Sequence, residues 1–293
     1  MANAFLTSDN IARVATRLVS DDLNLAALVS RDLEAEFRPG GSNIVRVRVP
    51  GAVVAQTRSI FDTSTPLVSD EIAEQFINVT LSTHVYDNVV LSEGSLDLSI
   101  EDFTAQVLVP QARAIAAYIE RVTATAMSAV PETTSIAYSA TSPAKTLTAM
   151  RKQLRDNGVA EDQELIAVVG SGVYADLLEA ETVTMEAGGK VRGFTVIEST
   201  RIPSDEIIAF VRDAFTLVVR APEVPDGAPY GASISEGGFA LRHIRSYDGT
   251  VAADRSLVSA FVAVQPMPLS VDNEDGTVSL VAHGGVVRVV TTA

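Results

Sequence analysis

Few residues in this chain stand at spacings that do chemistry, and each such group has a structural competitor. Gly170-Ser171-Gly172, with Ala175 behind it, follows the apolar run Leu165–Val169 and opens a helical pattern. That is the order in which a dinucleotide-binding turn presents backbone N–H groups and a helix N-terminus to a pyrophosphate. Glu198 lies too far downstream to take the ribose hydroxyls, and Glu186 sits in a loop-like stretch. No second strand–helix–strand unit stands beside the match, so a plain strand-to-helix turn is the better reading. His84, His243 and His283 fall in three separate β patterns, with Asp87 the nearest acidic neighbour of His84. None has the helical pair spacing of a metal site, and all three read as sheet histidines. Asp272-Asn273-Glu274-Asp275 before Gly276 misses the spacing of a calcium loop, because Val271 stands where the first ligand belongs. Ala187-Gly188-Gly189-Lys190 lacks the first glycine and the hydroxyl of a phosphate loop, and no serine lies in a nucleophile elbow. With no cysteine, disulfides and thiolate chemistry are excluded. The expectation is a protein that is not an enzyme and has no cofactor and no metal site.

Composition narrows the remaining classes. A net charge of −15 over 293 residues argues against a surface that grips a nucleic-acid backbone. Hydrophobic residues make up 47% but aromatics only 5%, and Trp is absent, so the core is built from Val, Ala, Leu and Ile. No window approaches ~18 uninterrupted apolar residues, which predicts no membrane-spanning helix, and residues 1–20 show no secretory leader. Lys145, Lys152 and Lys190 are the only lysines; the other cations are arginines, which suit bidentate carboxylate pairing at interfaces.

The elements around these residues say more. From 77 to 91 apolar and polar residues alternate with period 2: Ile77, Val79, Leu81, Val85, Val89 and Leu91 against Asn78, Thr80, Ser82, His84, Tyr86 and Asn88. This is about three times a mean strand, with a reach of roughly 50 Å at ~3.3 Å per residue. Residues 44–49 alternate Val45, Val47 and Val49 against Arg46 and Arg48, residues 52–61 continue extended, and 63–74 form a turn-rich acidic tip. Between Gly51 and Ser95 one cation, Arg58, faces Asp62, Asp70, Glu71, Glu74, Asp87 and Glu93. An isolated hairpin is marginal in water. The ribbon is therefore either mobile in a single copy or completed by a neighbouring one, and the second reading is favoured.

Elsewhere, residues 7–29 predict a helix on Ile11, Val14, Leu18, Leu25 and Leu28, within an arm that ends at Pro39-Gly40-Gly41. Ser99 and Asp102 predict a capped short helix to about Leu108. Pro110 then restarts a long one with its stripe on Ile115, Ile119, Val122 and Ala126. After Pro131 helix and strand patterns alternate. A helix over 142–156 turns Leu147, Met150 and Leu154 inward; a strand over 165–169 and a helix over 172–180 follow. Strands cover 191–198 and 207–220, a strand pair turns at Asp248-Gly249, and two small β patterns flank Asp275-Gly276 and Gly284-Gly285.

In this order the chain resembles the tailed-phage major capsid proteins of the Hong Kong 97 type. SIEDFTAQVLVPQARAIAAYIE looks like that family's short helix, proline and spine helix, GKVRGFTVIEST like its central strand, and FVRDAFTLVVRAP like the strand that follows. GGFALRHIRSYDGTVAADRSLVSAFVAV is similar to its late strands, and MANAFLTSDNIA to the start of actinobacterial-phage coat proteins. The resemblance spans roughly residues 1–266 and implies an α+β fold with an N-arm, an extended β loop, a spine-helix peripheral domain and an α/β axial domain. The implied division is 1–50 N-terminal arm and first strand, 51–95 extended loop, 96–131 peripheral domain with the spine helix, 132–235 axial domain, 236–254 peripheral return strands, 255–266 axial strand and 267–293 C-terminal β tail.

The resemblance further implies a shell of hexamers and pentamers around double-stranded DNA, without sequence-specific binding or a membrane. Scaffolding, portal and decoration proteins are its implied partners, and the virion capsid its place, with the host cytoplasm during assembly. No lysine lies between Gly51 and Ser95, so covalent cross-links through the loop are not expected. No basic or coiled-coil leader precedes the fold, so no built-in scaffold is expected. The tail after Pro266 has no counterpart and is expected as a surface hairpin or an interface strap. For subunit contacts, Asp70, Glu71 and Glu74 are expected to meet a neighbour's Arg46, Arg48, Arg242 or Arg245. Two alternatives stand beside this reading, an encapsulin-like compartment shell of the same fold and a nucleotide-binding enzyme using Gly170 and Gly172.

Overall fold

The computed structural model describes residues 8–21, 23–33, 42–49, 53, 55–67, 69, 71–72, 74–94, 103–180, 190–228, 230–236, 239–273 and 276–291. The long alternating ribbon is not one strand. Strand β1 (Ile44–Val49) pairs antiparallel with β2 (Gln75–Thr80), Ile44 opposite Thr80 and Val49 opposite Gln75. At Leu81, whose N–H donates to Asn43 O at 2.8 Å, the chain leaves this hairpin. It enters β3 (Thr83–Ser92), which pairs instead with β11 (Ala253–Pro266). Val79 is buried over Val218 while Val85 belongs to the main core, so the two halves of one alternating pattern serve different clusters.

Strand β11 is the beam of the second sheet. Its first ten residues pair with β3 on one side, and residues 253–259 pair with β10 (Phe239–Asp248) on the other. Strand β9 (Tyr230–Glu236) lies beyond β10, and the far end of β11 pairs with β8 (Phe215–Arg220). The long helix α2 (Val109–Ser128) crosses one face of this sheet. It does not restart at Pro110: residues 104–108 form a π turn, with Val109 N–H bonded to Thr104 O five residues back, and run straight into α2. The wider turn comes just before the residue that has no N–H to give. The proposed cap at Ser99 and Asp102 lies outside the described residues. Ile115 and Ile119 are buried as expected, whereas Val122 and Ala126 are half-buried. Gln111, Glu120 and Thr123 are buried in addition, because the helix is covered on two sides, by the sheet and by the N-terminal segment.

That segment holds α1 (Ser8–Asp21) and a 3-10 turn, Leu25–Ala27. Helix α1 lies on β9, β10 and α2 through Ala12, Ala15, Thr16 and Val19, all fully buried. Val14, expected inside, is 37% exposed; small side chains on the adjacent face allow the closer approach. Pro39-Gly40-Gly41 lies outside the described residues.

The third sheet has the order β14-β7-β4-β6-β5. Its strands are β4 (Leu165–Val169), β5 (Lys190–Val191), β6 (Phe194–Glu198), β7 (Glu206–Val211) and β14 (Val286–Val290). Only β4 and β6 run parallel, joined through helix α4 (Ser171–Glu179). Helix α3 (Pro143–Asp156) buries Leu147, Met150 and Leu154 as expected. The tail after Pro266 divides. Strands β12 (Leu269–Asp272) and β13 (Val278–Val281) form a small hairpin, but β14 is built into the sheet, with Val286, Val287 and Val289 buried.

Gly170 and Gly172 serve a crossing of the chain over itself. A Cβ on Gly170 would lie 2.1 Å from Pro203 O. Ser204 O accepts from Gly172 N–H at 3.1 Å and Val173 N–H at 3.3 Å. The first turn of α4 thus spends its free donors on its own chain, where a pyrophosphate would have to sit. Gly170→Ala displaces the 203–204 backbone and is expected to destabilise by about 1–3 kcal/mol or more, read by urea denaturation.

His243 is buried in a polar cluster beneath α2. Ser256 Oγ donates to Gln111 Oε1 at 2.7 Å and lies 3.2 Å from His243 Nε2, so Nε2 carries the imidazole proton. Nδ1 is buried without a partner among the described residues. Burial first, and Arg245 nearby second, push the imidazole down from 6.5 to about 4. Phe103 packs on the ring, and no carboxylate among the described residues bonds Nδ1. The unfolded chain therefore binds the proton more readily. The stability held above pH 6.5 is lost as the pH falls from about 6.5 to 4, by up to about 3 kcal/mol. Urea midpoints measured across this range are expected to fall for the native protein and to flatten in His243→Gln.

Candidate assembly interface

Among the described residues, the loop between β1 and β2 holds five exposed large apolar side chains. Val53, Ile60, Phe61, Leu67 and Ile72 are exposed, Ile60 at 89% and Phe61 at 86%. The turn that lifts the last two is built locally, earlier than the 63–74 tip expected from sequence. Asp62 Oδ1 accepts from Ser64 N–H at 2.9 Å, Ser64 Oγ at 2.9 Å and Thr65 N–H at 3.1 Å. Asp62 N–H reaches back to Ser59 O at 3.1 Å, and Arg58 Nη1 donates to Thr65 O at 2.8 Å. Hydrogen bonds from the Thr65 side chain, then from Ser64 and Thr65 N–H, hold the Asp62 carboxyl far below the usual carboxylate range. A preformed turn lowers the ordering cost that a docking loop meets on binding.

Glu71 and Glu74 are exposed on the returning limb, and Asp70 lies outside the described residues. Arg46 and Arg48 project from the outer face of β1. Arg48 already meets Glu74 of its own chain at 3.7 Å, an exposed pair that contributes little. Arg242 and Arg245 stand apart from these. Arg242 is buried, donating to Ser259 Oγ at 3.1 Å and Glu223 O at 2.7 Å, and burial lowers its pKa. Arg245 donates to Asp254 Oδ2 at 2.9 Å and lies over the Phe103 ring at 5.5 Å. Arg242 is thus buried and Arg245 is paired within its own chain, while Arg46 and Arg48 lie on the exposed face of β1. Sequence alone missed the burial of Arg242 because the first six residues of β10 are buried on both faces.

The face of the second sheet away from α2 is open. A groove of about 340 Å³ there is lined by His84, Tyr86, Asn88, Ile244, Arg255 and Leu257 among others. Tyr86 is 64% exposed and His84 packs edge-on to Phe261 at 5.1 Å. Burial first, then Arg242, lower the His84 pKa. His283 takes a left-handed backbone, φ 57°, in the turn before β14, so the three histidines occupy three separate places. Among the described residues no group of three His, Asp or Glu could hold a metal ion, and no helix is long and apolar enough to cross a membrane. Ile60 and Phe61 were not singled out by sequence. The available signal was an adjacent apolar pair inside an otherwise polar, acidic loop.

A two-stranded hairpin, a long helix under a sheet whose central strand runs on to pair with β8, and a separate helix-flanked sheet match the capsid fold of the Hong Kong 97 type. A structure from Mycobacterium phage Che8 has a TM-score of 0.59 at 16% identity, covering 90% of this chain and 90% of that one. The capsid structure of cyanophage P-SCSP1u gives 0.58 at 12% identity, over 86% of this chain and 84% of that one. A virus-like particle from Pyrococcus furiosus gives 0.54 at 12%, over 95% and 97%. The sequence matches no family profile and no curated protein, so the likeness is one of fold.

Proposed function

We propose that the chain is the major shell subunit of a tailed-phage head, assembling with copies of itself into hexamers and pentamers that close around double-stranded DNA. The observation that carries this reading is the loop. Ile60 and Phe61 are held outward by a locally locked turn and are almost fully exposed among the described residues, on a fold shared with capsid structures. The open groove by Tyr86 and Leu257 of a neighbouring copy is a receiving surface of suitable chemistry for a loop that is apolar at its apex. Residues 1–50 then serve as arm and first strand and 51–95 as the extended loop, whose returning strand β3 enters the second sheet; that sheet with α2 serves as the peripheral domain and the third sheet with β14 as the axial domain. An acidic chain suits a container whose DNA must not stick to the wall, since each neutralised phosphate strengthens binding. Scaffolding, portal and decoration proteins are its proposed partners, and the virion its place.

Electron microscopy of the purified protein, produced with its neighbouring phage genes, tests the reading: closed uniform shells are expected, and a small oligomer with bound nucleotide overturns it. Likeness to the Pyrococcus furiosus particle supports a second reading, a cellular compartment; shells that enclose a protein cargo and no DNA would favour it. Arg46→Glu with Arg48→Glu tests the acidic-loop contact. Shell yield is expected to fall severalfold, and unchanged yield removes these arginines from the interface.

A further inference from the structure

Glu120 is 1% exposed on α2, and three consecutive backbone donors of the N-terminal segment converge on its carboxylate. Asn24 N–H reaches Oε1 at 2.8 Å, Leu25 N–H reaches Oε2 at 3.1 Å and Ala26 N–H reaches Oε1 at 3.0 Å. These are the free donors at the start of the 3-10 turn, which no side chain of its own caps. On its other side, Arg201 in the loop between β6 and β7 brings Nε to 3.7 Å from Oε2. One side chain therefore joins three parts of the molecule that are far apart in sequence. Immediately beyond, Ser30 bonds β8 at both its N–H and its carbonyl, to Phe215 O at 3.1 Å and from Leu217 N–H at 2.8 Å. Leu23, Leu25, Ala26 and Val29 are buried along the same stretch.

We infer that Glu120 is a positioning residue, a latch that holds residues 23–30 against the long helix and sets them relative to the loop before β7. The charge is essential to the arrangement. A carboxylate accepts at both oxygens, whereas an amide in its place offers one acceptor and turns a donor toward the remaining N–H. A neutral substitution thus leaves at least one buried backbone donor facing another donor. The apolar side chains around the turn hold it in place but do not satisfy those donors, so losing the carboxylate opens this stretch locally. The inference goes beyond the shell reading and concerns the single chain, so a failure to form shells leaves it untouched.

Hydrogen–deuterium exchange of the purified protein, read by mass spectrometry on peptides covering 23–30, tests it. Glu120→Gln is expected to speed exchange there at least tenfold, with peptides covering β4 and β7 unchanged. Glu120→Asp keeps the charge but withdraws it by one methylene, and is expected to move the same peptides in the same direction by less; it serves if the first variant does not fold. Arg201→Ala, which removes only the half-exposed partner, is expected to give the smallest change. Unchanged exchange at 23–30 in Glu120→Asp overturns the latch. So does a rise shared equally by β4 and β7, which would make Glu120 an ordinary core residue.

Discussion

Ile60→Asp combined with Phe61→Asp is expected to abolish shell formation while leaving the single chain folded. Both side chains are almost fully exposed in one copy, so the substitutions fall in the class of surface changes that shift stability by no more than about 0.5 kcal/mol. In the proposed assembly the same side chains are buried against a neighbour. Each apolar side chain of this size contributes about 1.5–3 kcal/mol when removed from water. The pair thus accounts for about 3–6 kcal/mol per contact, a factor of roughly 10²–10⁴ in the contact's equilibrium constant. A carboxylate placed in an apolar groove adds a desolvation cost to that loss. Sedimentation and electron microscopy report the assembly, and circular dichroism melting reports the fold. Normal shells from the double variant would remove the loop apex from the interface; a collapsed melting transition would show that the apex belongs to the subunit's own core.

The second large effect concerns the joint between the long helix and the third sheet. Arg288 on β14 forms a buried ion pair with Glu206 on β7. Ser128 Oγ, in the last turn of α2, donates to the other Glu206 oxygen at 2.7 Å. Arg288 also reaches Val130 O at 3.3 Å, and its own carbonyl accepts from Thr133 N–H at 2.7 Å. Arg288→Ala leaves a carboxylate buried with one hydroxyl for company, a change expected to cost about 3–5 kcal/mol. Replacing both partners, Arg288→Met with Glu206→Gln, removes the unpaired charge and is expected to recover most of that loss. Urea denaturation of the two variants measures the difference. Equal destabilisation in both would mean that the joint depends on shape at this position and not on the pairing of charge.

Together the two variants separate what the shell reading needs from what the subunit needs. On the shell reading the loop apex matters only when copies meet, and the Arg288 joint matters whether or not they do. Arg46 and Arg48 lie on an exposed hairpin face, whereas Arg242 is enclosed by the segment containing Glu223.

Much of the fold was legible because its signals are local. The apolar run of β4, the Leu147, Met150 and Leu154 spacing of α3, and the Asp248-Gly249 turn between β10 and β11 all depend on residues within one or two turns of each other. The acidity of the loop was also readable directly, since composition needs no partner. Tertiary structure alone decided which sheet each half of the 77–91 alternation joins, because a period of 2 is the same on either side of the break at Leu81. It decided that Gly170 makes room for Pro203 and not for a phosphate, that β14 completes a sheet, and that Glu120 and Glu206 are buried anions with partners. Those outcomes depend on contacts such as Glu120 with Leu25, 95 positions apart, and Ser128 with Glu206, 78 apart. Local periodicity carries no information about such contacts; they exist only once the chain has closed on itself.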